Sequence, residues 1–129
     1  MSTETWQPAT KTVEPIASET LVEFAANADN AAKLIQEAKY QSLAYLMKQP
    51  LAFWQAPTEG FDETQLWQLM QFFALAEEAS GEWFAGEHSP VTHLNKILKA
   101  RGAKLDKEQL LWLRENSSNR FLPNGPIVL

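Results

Sequence analysis

Between residues 18 and 116, apolar side chains recur every three or four positions and nowhere alternate at every second one. That is the period of helix faces, not of strands. The first face starts near Ser18, whose hydroxyl is placed to accept from first-turn amides. Glu19 follows at the positive end of the helix dipole, and Leu21, Phe24, Ala25 and Ala28 form the stripe. Asp29 offers a second cap, so a break and restart is expected there. From Asn30 to Gln49 the chain has no Gly or Pro and is rich in alanine. Ala31, Leu34, Ile35, Ala38, Tyr45 and Leu46 share one face, and Tyr40, Leu43 and Met47 a second, which predicts one long helix ended by Pro50.

Residues 50–61 contain Pro50, Pro57 and Gly60 and read as a loop. Leu51, Phe53, Trp54 and Phe61 make this loop apolar enough to cover a core or face a partner. Asp62-Glu63-Thr64-Gln65 has the form of a capping box. The helix expected over 63–80 carries Leu66, Trp67, Leu69, Met70, Phe72, Phe73, Leu75 and Ala76 around nearly its whole circumference, so it should be central and buried. Gly81 sits where a helix-ending glycine belongs, and residues 82–88 form a connector with Trp83 and Phe84 turned inward.

Ser89-Pro90 joins a side-chain cap to a proline at the first helical position. Val91, Leu94, Ile97 and Leu98 form that helix's stripe, Gly102 stops it, and Lys96, Lys99 and Arg101 complement its negative end. Asp106-Lys107-Glu108-Gln109 is a second capping box. It opens a short helix to about Asn116, expected to bury Leu110, Leu111 and Leu113 with Trp112 at its side.

The fold class is therefore all-α: a single compact domain of four to five helices, packed antiparallel where loops are short. A chain of 129 residues suits one core. Residues 1–16 lack any period and hold four of the threonines and two prolines, so they read as a flexible N-terminal tail, with Trp6 the exception, either an anchor for a partner or a ring docked on its own domain. Residues 17–129 form the helical domain. They include an extended C-terminal segment, docked because Phe121, Leu122, Ile127, Val128 and Leu129 are too apolar for a free tail.

Composition narrows the chemistry. With no cysteine, disulfides, thiolate catalysis and cysteine-held metals are excluded. No apolar run approaches a membrane span and the first residues form no signal-type apolar stretch, so a cytoplasmic location is expected. The net charge of −5 is segregated. Residues 1–87 carry 4 basic and 13 acidic side chains, whereas residues 88–129 carry 7 basic and 3 acidic. Such polarity either holds the halves together or steers a partner.

The two histidines, His88 and His93, are five apart across a helix start, not the four of a helical metal pair. They occupy the positions of a staple across that start. With Glu82 and Glu87 they are the candidate small-molecule site. Glu77, Glu78, Glu82 and Glu87 include no Glu-x-x-His arrangement, and no nucleophile elbow or phosphate loop is present. No catalytic residue, metal or cofactor is assigned.

Lys96, Lys99, Arg101, Lys104, Lys107 and Arg114 are the candidate nucleic-acid contacts, with Arg120 extending the run and Trp112 or Phe121 near bases. Asp106, Glu108 and Glu115 interrupt that run and the chain is acidic overall. A chain this small cannot hide every large ring, and rings in connectors should surface first. Trp54, Trp83, Arg120 and Phe121 are therefore the candidate partner contacts. The segments Ser89–Asn95 and Asn119–Pro123 look motif-like. The leading functional expectation is a non-enzymatic helical interaction or regulatory module, homodimeric in its simplest form. Nucleic-acid binding and a small-molecule site are the alternatives, and a membrane is not expected as a partner.

Overall fold

A computed structural model describes residues 16–124. The tail before Ile16, with Trp6, and the apolar end after Asn124 lie outside the described residues. Ile16 itself, assigned to the tail, is buried in the core.

The described residues are all-helical. The α-helices are α1 (Ser18–Ala26), α2 (Ala31–Leu34), α3 (Ala38–Gln41), α4 (Leu51–Gln55), α5 (Glu63–Ala79), α6 (Pro90–Ala100) and α7 (Lys107–Asn116). Single 3-10 turns or short runs occupy Ala28–Asn30, Ser42–Lys48 and Gly86–His88. α5 is the axle, as its all-round apolarity predicts: α1, α2, α6 and α7 pack against it. Phe24 on α1 stacks on Phe72 of α5 with ring centroids 4.3 Å apart, and Phe73 meets Trp54 of α4 edge to face at 5.3 Å.

There are more helices than the four or five expected, for a physical reason. A straight helix over Asn30–Gln49 would put Ile35 and Tyr40 about 140° apart around its axis. Both are buried, at 3% and 4% exposure. The chain satisfies both by breaking: Glu37 is extended, with φ −68° and ψ 140°. The break turns Tyr40 toward α1, where its hydroxyl donates to the Glu23 carboxylate. Ala38 and Tyr45, placed on the buried face by the continuous pattern, are exposed instead. Similarly, the 50–61 segment is not all loop. α4 forms after Pro50 and buries Trp54, and Thr58 Oγ1 donates to the Trp54 carbonyl at 2.7 Å.

The helix ends follow the sequence closely. Both capping boxes form: Asp62 with Gln65, and Asp106 with Gln109. Ser89 Oγ accepts from the Val91 amide and Pro90 opens α6. Gly102, at φ +84°, ends α6: its amide donates to Lys99 and the Ala103 amide donates to Leu98, the paired bonds of a Schellman turn. Ser18 departs from its expected role. Ala17 stands at the cap without a side-chain bond, and Ser18 Oγ donates to the Pro57 carbonyl at 2.8 Å, tying α1 to the loop before α5. At the end of α5, Ser80 is the cap residue and Gly81 follows it, without a positive φ.

Candidate docking groove

α7 lies against α5 by a narrow strip. Leu113 is buried, and Trp112 meets Trp67 edge to face at 5.6 Å. Leu110 and Leu111, expected inside, are 41% and 50% exposed. Leu110 and Leu113 are three residues apart and share a side, but Leu111 is one position beyond Leu110 and points about 100° away. A single strip of contact covers only part of that arc.

Leu110 forms the divide between two depressions. The larger, about 550 Å³, is walled by Leu113, Arg114, Ser117, Ser118, Asn119, Arg120 and Leu122. The smaller, about 230 Å³, is walled by Asn95, Lys99, Lys104 and Leu105. Leu110, Pro123 and Asn124 line both, so the two form one groove. Leucines and Pro123 line it together with neutral Ser and Asn side chains and with Lys99, Lys104, Arg114 and Arg120, and no Asp or Glu is among the lining residues. Lys99 Nζ spends one of its three donors on Asn124 Oδ1 at 3.2 Å.

The wall of this groove is held by α5. Glu77 is 3% exposed, and its carboxylate accepts from Ser89 Oγ and from Asn119 Nδ2, the latter at 2.8 Å. Burial pushes the Glu77 carboxyl above the ordinary 4.5, while Ser89, Asn119 and the Ala85 amide pull it back in part. Asn119 Nδ2 also donates to the Gly86 carbonyl at 2.9 Å, and its Oδ1 accepts from the Phe121 amide. Next along α5, Glu78 Oε2 accepts from the Ser118 amide at 2.7 Å and from Ser118 Oγ at 2.8 Å. From α6, Asn95 Nδ2 donates to the Pro123 carbonyl and to Asn124 Oδ1, both at 3.3 Å. The motif-like segments Ser89–Asn95 and Asn119–Pro123 thus meet, with Glu77 joining them. The Glu77 connection has no signal in the sequence beyond the position of a carboxylate one turn after Phe73, on the buried side of α5.

The expected site residues distribute differently from their order in the chain. Trp54 and Trp83 are buried, at 0% and 2% exposure, inside the core rather than at the surface. The connector ring that surfaces is Phe84, at 44%, which the sequence placed inside. Arg120 is exposed and Phe121 half-buried. The cations separate: Lys99, Lys104, Arg114 and Arg120 share the groove. Lys96 and Arg101 line a different depression with Leu51 and Glu59, and Lys107 lines neither. Arg101 donates to the Thr58 carbonyl at 2.9 Å and to the Phe61 carbonyl, clamping the loop before α5.

The small-molecule set does not converge. His88 lies 3.7 Å from Glu87 with 64% of its side chain exposed, so its ring stays in solvent rather than closing over His93. His93 is half-buried, and burial first, then the neighbouring Lys96 and His88, lowers its pKa against the pull of the Gln49 carbonyl. Glu82 lies beside Trp83, Ile35 and Gln41 in a third depression. Among the described residues, no three His, Asp or Glu side chains gather as a metal site, and no helix is long and apolar enough to cross a membrane. No family model, curated protein or solved structure matches this chain.

Proposed function

We propose that this chain is a non-enzymatic helical interaction module, and that the groove around Leu110 docks an acidic, partly apolar segment of another protein. One observation carries the reading. In a chain of net charge −5, four cations share a groove lined by leucines, Pro123 and neutral polar side chains, with no carboxylate in the lining. Apolar contact supplies affinity there, and the cations supply orientation and encounter rate. A nucleic-acid surface has less support, because Arg101 is committed to backbone carbonyls and Lys96 belongs to another depression. The dispersal of Glu82, Glu87, His88 and His93 gives the small-molecule alternative no common point.

A photo-crosslinking side chain in place of Leu110, activated in cells that make the full chain, tests this. The expected product is a cross-link to an acidic segment of a different protein. Lys104→Glu with Arg114→Glu should weaken that complex by about tenfold or more and flatten its salt dependence. A cross-linked segment without acidic residues, or a complex indifferent to the double reversal, overturns the proposal.

A second reading is favoured by one feature of α1. Val22 is 41% exposed between Glu19 and Glu23, an acidic and apolar strip of the kind the groove would take. Self-association would then place α1 of one copy in the groove of another. Sedimentation showing a dimer that Lys104→Glu breaks and Glu19→Lys restores would replace the first reading with this one.

A further inference from the structure

We infer that Glu78 is a positioning residue for the groove: it fixes the wall at Ser118, in the lobe that Arg114 and Arg120 also line. The inference rests on the docking reading of the groove. Residues 117–119 have no regular secondary structure: backbone bonds hold the two ends, the Ser117 amide to Leu113 and the Leu122 amide to Asn119, while the Ser118 amide between them is held by a side chain. Adjacent residues on a helix diverge by about 100°, and α5 uses that divergence: Glu77 points inward to Asn119, and Glu78 points outward to Ser118. Two neighbouring carboxylates thus grip two neighbouring residues of the wall from different sides. Glu78 takes both the amide and the hydroxyl of Ser118 on one oxygen. Ser118, Asn119 and Arg120 then line the larger lobe. Glu78 is exposed and its carboxylate is held by Ser118, so its effect falls on the wall rather than on the core.

Charge and position make opposite demands on this residue, which gives a clean test. If Glu78 acted only as a negative charge near a cationic groove, both Glu78→Gln and Glu78→Ala would tighten binding of an acidic probe. If it positions the wall, Glu78→Gln keeps an oxygen for the Ser118 amide and binds at least as tightly as wild type. Glu78→Ala releases the wall and binds about tenfold more weakly, the scale of losing a charge-assisted bond. The probe is a labelled, end-blocked peptide of glutamate and leucine residues, titrated against the full chain by fluorescence anisotropy. Amide exchange of Ser118 is followed in parallel without probe. It should accelerate about tenfold or more in Glu78→Ala and stay near wild type in Glu78→Gln, with α5 and α6 amides unchanged.

Tighter or unchanged binding by Glu78→Ala overturns the inference while leaving the groove reading standing. The converse failure looks different: if wild type ignores the probe while Ser118 exchange responds as described, the groove reading falls and the grip of Glu78 on the wall remains.

Discussion

Asn119 Nδ2 donates to Glu77 Oε1 at 2.8 Å, joining the segment after α7 to the buried face of α5 across 42 positions of chain. Both residues are more than nine-tenths buried, so the bond has no water to replace it. Asn119→Leu keeps the side-chain size, removes a donor from the carboxylate and leaves the Phe121 amide without its acceptor. The expected cost is about 1–3 kcal/mol, seen as a drop of several degrees in Tm. Combining it with Glu77→Leu should cost clearly less than the two single changes added, because each alone strands the other's partner. Strict additivity in thermal unfolding would mean that the bond contributes nothing.

The same carboxyl gives stability a definite dependence on pH. Burial raises the Glu77 pKa above 4.5, and the adjacent Glu78 charge adds to the push. A carboxyl that holds its proton more tightly when folded stabilises the fold fully below pH 4.5, and that contribution is lost as pH rises through the raised value. Glu77→Gln carries no such proton, and Ser89 Oγ can rotate to accept from the new amide. Measured by urea unfolding from pH 4 to 7, wild type should therefore lose ground to Glu77→Gln as pH rises. Parallel curves would contradict the assigned burial.

Helix ends were readable from the sequence because they depend on contacts within four residues. Asp62 with Gln65, Asp106 with Gln109 and Ser89 with the Val91 amide after Pro90 each carry their own partner. The break at Glu37 was not readable. Its local sequence favours helix, and only the demand that Ile35 and Tyr40 both be buried against other elements forces the chain to turn. The groove was half readable. Its cations stand in sequence order, but which of them share a wall depends on the long-range bonds of Glu77, Glu78 and Asn95 to residues 118–124. Arg101 looks like its neighbours in sequence and is distinguished only by the carbonyls that the folded loop presents to it.

Burial separates two groups of apolar residues that composition treats alike. Trp54 is fully buried and packs on Phe53 and Phe73, so Trp54→Ala should cost about 3–5 kcal/mol. Leu111 has half its surface in water, and Leu111→Ser should change stability by no more than about 0.5 kcal/mol. Chemical denaturation of both variants checks the pair. A large loss at Leu111 would mean that α7 is packed more deeply than this fold allows. A small loss at Trp54 would return that ring to the surface where the sequence alone had placed it.

His93 titrates with the opposite sign to Glu77. Desolvation lowers its pKa from 6.5, and the positive charges of Lys96 and His88 act in the same direction. The Gln49 carbonyl opposes them without reversing the shift. A base whose proton is held less tightly in the fold than in the unfolded chain contributes stability above pH 6.5 and loses it as pH falls through the lowered value. His93→Leu removes that loss. The difference in unfolding free energy between wild type and variant should therefore shrink or reverse in favour of His93→Leu as pH falls below 6.5. The proton resonance on Cε1 of His93 should titrate with a midpoint below 6.5 in the intact protein. A midpoint at or above 6.5 would require an anion facing the ring; the charged groups set around it here are Lys96 and His88, both of which disfavour its proton.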